Sequence, residues 1–387
     1  MAIRRAGKRG NGEGSIYKDA EGRWRSVVDR GYRDGRRRRK YLSGRTRAEV
    51  AGKLRRVLDE HEAGAEIATD GHAPTLESWL DHWLNTIAAP RLRPSTLATY
   101  RGYVRNRIVP ELGKYRLDKL QPEHLEAFYV RLAEAGLKPA SILQTHRILS
   151  RALKVALQRG RVRRNVGTLV EPPSVHREEI RPLSAEQARA VLSAARGHRN
   201  AARWSVALAL GLRQGEALGL AWDAVDLEVG TLTVRQALQR QVGGGLVLVP
   251  PKSRAGRRVV PMPAQLVEAV RTHRAAQAAE RLVAGSMWVD SGLVFATVVG
   301  KPVDPRSDHR QWQELLRSAG VPAARLHDAR HTAATLLLTQ GVPARVVMEL
   351  LGHSQITLTL GTYSHVAPEL SRDAAKRMGD ALWGYGL

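Results

Sequence analysis

Apolar positions follow different rhythms in different parts of this chain. Between residues 75 and 164 they recur every three or four places: Leu76, Trp79, Leu80, Trp83 and Leu84, then Ile142, Thr145, Ile148, Leu149, Ala152 and Leu153. That spacing lays one stripe along a helix and predicts a bundle of four or five helices with these residues as its core. Pro90, Pro94, Pro110, Pro122 and Pro139 punctuate the bundle, and Pro122 stands where a first helical residue would. Ahead of it, residues 15–17 and 23–30 read as short strands split by the turn-forming Lys18-Asp19-Ala20-Glu21-Gly22. Asp34-Gly35 makes a hairpin turn into a third strand over 36–41. Thr46 and Glu49 then have the spacing of a capping box, opening a helix that runs to about residue 62.

Two polar, Gly- or Pro-containing linkers, 65–74 and 170–182, flank the bundle. Ser184 and Gln187 form a second capping box, and helices are expected over 185–195 and 201–219. Strand patterns follow at 231–238, 246–249 and 258–261, after which helical spacing returns from Pro263 onward. The expected architecture is multi-domain. It comprises a small β-sheet-plus-helix N-terminal module over 1–66, an all-α domain over 74–168, and an α+β domain with a small antiparallel sheet over 178–387.

Charge changes this picture from scaffold to partner. The 387 residues carry 62 Lys+Arg against 37 Asp+Glu, a net charge of +25. The surplus is +8 over 1–70 (19 basic, 11 acidic), +10 over 71–170 (17 and 7) and +7 over 171–387 (26 and 19). Because every segment is positive, the chain suits a polyanion wrapped along several surfaces, which points to double-stranded DNA and not to a membrane. Arg36, Arg37, Arg38, Arg39 and Lys40 on the third strand are candidate groove contacts. Arg101, Arg105, Arg107, Arg147, Arg151 and Lys154 on the bundle are candidates to line one DNA-facing surface.

Composition also excludes chemistries. Zero Cys removes disulfides, thiol catalysis, iron–sulfur clusters and Cys-ligated zinc. No phosphate-binding G-x-x-x-x-G-K-[ST] string and no H-E-x-x-H pair occurs, so neither cofactor nor metal is expected. The longest uncharged stretch, 350–368, holds two His with many Ser, Thr and Gly, and the N-terminus lacks the apolar core of a signal peptide. A soluble, cytoplasmic protein of the bacterial nucleoid is the expectation. Arg outnumbers Lys 51 to 11, a bias that fits a GC-rich, actinobacterial genome.

Within the third segment a few polar residues stand in apolar surroundings. Arg213 interrupts Ala207-Leu-Ala-Leu-Gly211-Leu, where a guanidinium needs an anionic partner, and Glu216 one turn on can be that partner. Lys252 sits in the turn between two strands, with Arg254, Arg257 and Arg258 close by. His327 and Arg330 stand one helical turn apart and can face one point, a cation clamp beside a proton carrier suited to a phosphodiester. His353 follows the helix stop at Gly352, and Tyr363 follows ten residues later.

The strings Gly211-Leu-Arg-Gln-Gly-Glu-Ala-Leu-Gly-Leu220, Pro251-Lys252, His327-Asp-Ala-Arg330-His-Thr, Leu351-Gly-His353-Ser and Thr362-Tyr363-Ser-His365 resemble the signature set of the tyrosine recombinases, in the phage-integrase group. Residues 74–168 resemble that family's helical core-binding domain and 1–66 its small arm-type DNA-binding module, which makes 178–387 the catalytic domain. The resemblance implies Tyr363 as the nucleophile that forms a 3′-phosphotyrosyl link. Arg213 and Arg330 clamp the phosphate oxygens, Lys252 protonates the leaving 5′-oxygen, and His327 assists proton transfer. His353 hydrogen-bonds the phosphate, and Glu216 supports Arg213. It further implies strand exchange through a Holliday junction by a homotetramer, without metal or ATP, and with a possible DNA-bending host factor and excisionase. Within the family a chromosome or plasmid resolvase is the alternative to an integrase of a phage or integrative element. A catalytically silent DNA-binding regulator would show damage at the catalytic positions, yet all six hold competent residues. A type IB topoisomerase would share the chemistry without needing three separate basic regions.

Overall fold

The computed structural model describes residues 15–33, 36–62, 73–175, 182–241, 243–251, 254–352, 375, 378–380, 382 and 384. The chain divides into two compact units, Met1–His176 and Arg177–Leu387. In the first unit, β1 (Ser15–Lys18), β2 (Trp24–Arg33) and β3 (Arg36–Gly44) form an antiparallel sheet in that order. The register pairs Trp24 with Gly44 and Val28 with Lys40, then slips between Asp29 and Tyr32. Helix α1 (Arg47–Glu62) covers this sheet, burying Val28, Leu54 and Val57 together. Its start is set by half of the expected capping box: Glu49 N–H donates to Thr46 Oγ1 at 3.2 Å, while the Glu49 carboxylate accepts from Arg45 N–H at 2.9 Å, one residue before the cap, instead of from the Thr46 N–H. The turn Asp34-Gly35 lies outside the described residues.

The helical domain is built from α2 (Leu76–His82) with a π-helical turn Trp83–Ala88, α3 (Pro94–Tyr103), α4 (Val109–Leu112), α5 (Pro122–Glu134) and α6 (Pro139–Gln158). The predicted apolar stripes are its core: Leu76, Leu80, Ile148, Leu149 and Ala152 are all fully buried. Trp79 is buried too, and its indole Nε1–H donates to Ala152 O at 3.1 Å, so the ring packs without a stranded donor. Pro94, Pro122 and Pro139 each open a helix. Pro110 does not punctuate: it lies inside a continuous helical run from α3 to α4. Just before it the chain widens into a π-helical stretch, Val104–Ile108, and Val109 N–H reaches back to Val104 O. This wider turn is the kind of local adjustment that lets a helix carry a proline.

In the second unit α7 (Ala185–Ala194) starts at the Ser184–Gln187 capping box, whose two bonds measure 3.2 and 2.9 Å. The helix expected over 201–219 is two helices, α8 (Ala201–Leu210) and α9 (Gln214–Leu218), broken at Gly211. The strand expected over 231–238 is likewise divided. β5 (Thr231–Val234) joins β4 (Val225–Asp226) and β8 (Arg258–Pro261) in one sheet, while β6 (Ala237–Arg240) pairs with β7 (Leu246–Val249) in a separate hairpin. Between β5 and β6 the Gln236 side chain turns in and donates to Gly219 O at 2.9 Å, tying this corner to the end of α9. Helices α10 (Ala264–Ala284), α11 (Pro305–Ser318), α12 (Leu326–Thr339) and α13 (Ala344–Leu351) complete the described domain.

Candidate active site

The break between α8 and α9 creates the site. Gly211 adopts φ 59°, and a Cβ there would fall 2.7 Å from Leu351 Cδ2 and 3.1 Å from Ala333 Cβ. Only glycine satisfies both the left-handed backbone and this close approach to α12 and α13. The chain restarts at once, with Arg213 extended at φ −62° and ψ 146° as the N-cap of α9. Arg213 is thus held at a helix N-terminus and not on an apolar helix face. Its Nη1 donates to Glu216 Oε1 at 2.7 Å, its backbone N–H to Glu216 Oε2 at 3.1 Å, and its Nη2 to Gly352 O at 3.2 Å. Its side chain remains 42% exposed, whereas that of Glu216 is 4% exposed.

Helix α12 supplies the next cation. Arg330 is buried, with Nη1 donating to Gly211 O at 2.9 Å and Nη2 to Leu351 O at 2.6 Å. It therefore pins the end of α8 to the end of α13. One turn earlier on α12, His327 is exposed and meets His331 edge to face at 4.9 Å between ring centroids. Desolvation first, then the charge of Arg330, holds the His327 imidazole below its ordinary value. His331 is pushed down to about 4, by burial first and then by His327. Both rings are therefore neutral at pH 7, so His327 can accept a proton there.

A third arginine, not singled out by sequence reasoning, completes the arrangement. Arg258 on β8 donates from Nε to Leu350 O at 2.7 Å, from Nη1 to Gly256 O at 3.1 Å and from Nη2 to Glu216 Oε2 at 3.0 Å. The signal was strand alternation, since Arg258 shares a face with fully buried Val260 while Val259 points out. The successive carbonyls of Leu350, Leu351 and Gly352 thus receive Arg258, Arg330 and Arg213 in turn. These are orphan acceptors at the negative end of a helix, which favours cations there. Burial alone would raise the Glu216 carboxyl, but Arg258 and then Arg213 outweigh it and hold it below the usual carboxylate range. Three guanidiniums against one carboxylate leave positive charge at a partly enclosed surface, a setting for a phosphate.

The remaining expected site residues fall elsewhere. Lys252, His353 and Tyr363 lie outside the described residues, although Gly352, the residue before His353, is bonded to Arg213. Arg101, Arg105, Arg147 and Arg151 are exposed on the helical domain. Arg107 instead turns inward and stacks on Tyr103 at 4.1 Å. In the N-terminal module the backbone of Arg36, Arg37, Arg38, Arg39 and Lys40 belongs to β3, and Arg39 is exposed. Among the described residues no cluster of three or more His, Asp or Glu could hold a metal ion, and no helix is long and apolar enough to cross a membrane.

Comparison with known proteins places this geometry in a family. Residues 181–369 match the phage integrase family, a span that contains every expected catalytic position, and 75–133 match the phage integrase N-terminal SAM-like domain. An integrase of Saccharopolyspora erythraea is 38% identical over 97% of this chain and 98% of its own length. Among solved structures, the Tn1549 transposon integrase in complex with transposon right-end DNA superposes with a TM-score of 0.68 at 21% identity, covering 79% of this chain and 99% of that one. The lambda integrase tetramer bound to a Holliday junction gives 0.55 at 18% identity, covering 92% and 96%. With its broken helix, its HxxR helix and this near full-length relative, the chain belongs to the phage integrase family and is a tyrosine recombinase, an enzyme of site-specific DNA breakage and rejoining.

Proposed function

We propose that this recombinase is the integrase of a phage or integrative element and that Tyr363 is its nucleophile. The observation that carries the reading is the convergence of Arg213, Arg258 and Arg330 on three successive carbonyls, ending one residue before His353. A scissile phosphate is set against the open side of Arg213, with Arg330 as the fixed charge beneath it. The Tyr363 phenol loses its proton with help from neutral His327, and its Oη attacks phosphorus. The 5′-oxygen leaves with a proton from Lys252, giving a 3′-phosphotyrosyl link and a free 5′-hydroxyl. His353 hydrogen-bonds the phosphate, and Glu216 keeps Arg213 in place. A phenol of pKa near 10 needs such a cationic surround to act at neutral pH. The phosphotyrosine conserves the energy of the broken ester, so rejoining draws on neither ATP nor a metal.

The domain assignment follows from the same reading: residues 1–66 bind arm-type DNA, 74–168 grip the core site, and 178–387 carry the chemistry. Arg36, Arg37, Arg38, Arg39 and Lys40 contact the arm DNA, and Arg101, Arg105, Arg147 and Arg151 contact core-site phosphates. Exchange between two duplexes cuts four strands, which calls for a homotetramer on DNA. A DNA-bending host factor and an excisionase join this complex at the bacterial nucleoid. A Saccharopolyspora erythraea relative, 38% identical and matched over 98% of its own length, bears the name integrase, which favours an integrase over a resolvase role.

The test uses purified protein and a plasmid carrying the DNA that flanks its own gene, in EDTA and without ATP. An SDS-stable, protease-sensitive protein–DNA adduct is expected for the wild type and not for Tyr363→Phe. Persistence of the adduct in that variant would overturn the choice of nucleophile.

A further inference from the structure

We propose that Arg258 is a positioning residue for the recombination chemistry, a buried guanidinium that fixes the N-cap carrying Arg213 and the end of α13 as one unit. The proposal rests on the proposed function only for its catalytic readout. Its geometry is independent of that reading.

Three observations carry it. First, the Arg258 side chain is 7% exposed and every donor nitrogen is engaged, with three acceptors on three separate pieces of chain. Gly256 O lies in the turn that follows Lys252, Leu350 O lies in the last turn of α13, and Glu216 lies on α9. An arginine in solvent would be free to leave such contacts, but a buried one can do so only by stranding its charge. Second, Glu216 is shared. One carboxylate oxygen accepts from Arg258 Nη2 and from the Arg213 backbone, and the other accepts from Arg213 Nη1. Arg258 therefore acts on Arg213 through Glu216 and touches no reacting atom itself. Third, the backbone is shaped around it. Gly352 adopts φ 68°, and a Cβ there would fall 2.8 Å from Arg258 Nη1 and 2.8 Å from Ala255 O. The glycine that precedes His353 thus admits this guanidinium as well as ending the helix.

A lysine cannot replace it, because one ammonium on a flexible stem cannot reach three acceptors spread about a planar fork. The test compares wild type with Arg258→Lys, Arg258→Met and Glu216→Gln, at a temperature where all are folded by circular dichroism. On a nicked suicide substrate, Arg258→Met is expected to slow adduct formation about 100-fold, with core-site Kd changed less than about threefold, and Lys is expected to restore little. Combining Arg258→Met with Glu216→Gln should cost hardly more than either alone, since both act on Arg213. Among the described residues, the charged groups facing Glu216 are Arg213 from the N-terminus of its own helix and Arg258 from β8. The acidic limb of the rate profile should accordingly move to higher pH in Arg258→Met but not in Arg258→Met/Glu216→Gln. Amide hydrogen exchange provides a readout without chemistry: in Arg258→Met the amides of α9 and of the last turn of α13 should lose protection together, while α7 and α11 keep theirs. Unchanged protection at both places would overturn the proposal whether or not an adduct forms. Normal exchange loss with no adduct even in wild type would instead count against the proposed function and leave the positioning role standing. Additive losses in the double variant would assign Arg258 to general stability.

Discussion

Two sets of arginines divide the labour in this protein. On the helical domain Arg101, Arg105, Arg147 and Arg151 stand exposed around a core of Leu, Ile and Trp. At the end of α13, Arg258 and Arg330 are buried and bonded to backbone carbonyls, with Arg213 half-open beside them. The first set can follow a DNA backbone that shifts by an ångström, because solvated side chains adjust. The second set cannot shift, and its immobility is its use: charges already oriented in a low-dielectric site need no reorganisation when charge develops on a phosphate. Residue type alone does not separate the two roles, but the partners do.

A lysine swap breaks that comparison most sharply. Arg330→Lys keeps the charge but cannot span Gly211 O and Leu351 O, which leaves at least one buried carbonyl without its donor. Adduct formation should fall by about 10³-fold, near the upper range for loss of one oriented donor. Stability should fall by about 2 kcal/mol for the stranded acceptor, read from urea unfolding. Arg147→Lys, by contrast, should leave both quantities unchanged. Equal effects at the two sites would mean that the buried set is ordinary surface charge.

How much of this was legible from the chain depends on what each signal needed. The apolar stripe from Leu76 to Leu153 gave the helical domain directly, because local periodicity fixes which face is buried. Pro110 misled, since a helix that widens by one residue can carry a proline and nothing in the local pattern marks the widening. The run 201–219 looked like one helix because its apolar spacing continues through Gly211. The break comes from the tight approach of Leu351 and Ala333, partners more than 100 residues away. The three-residue spacing pairs Arg213 with Glu216, yet their role as cap and box depends on that break. Arg258 hid among Arg254 and Arg257, and only strand register turns it inward.

The paired imidazoles offer a smaller effect. His331 is depressed to about 4 while an unfolded chain would titrate near 6.5, so the unfolded state binds more protons between those values. Stability is full above about pH 6.5 and is lost as pH falls toward 4, by roughly 1–2 kcal/mol once partial exposure is allowed for. Unfolding midpoints in urea from pH 7 to 4.5 should decline more steeply for wild type than for His331→Asn. Parallel lines would show that the ring is not held neutral, and the claim that buried groups here are fixed while exposed ones are free would lose a case.

The finest contrast lies within the helical domain itself, between Arg147 and Arg107. Arg147 is exposed, while Arg107 lies over the Tyr103 ring at 4.1 Å with its Nη1 near Ser141 O at 3.4 Å. If exposed arginines contact phosphates, Arg147→Gln should reduce the slope of log K against log salt by about 0.9 and leave unfolding unchanged. Arg107→Gln should leave that slope alone and cost about 1 kcal/mol of stability, the scale of a partly desolvated cation over an aromatic face. Fluorescence anisotropy on a core-site duplex from 50 to 300 mM salt, set beside urea unfolding, reads both. A slope change in Arg107→Gln would move that residue from the packing side of the comparison to the DNA side. A stability loss in Arg147→Gln would show that even this exposed face holds the bundle together.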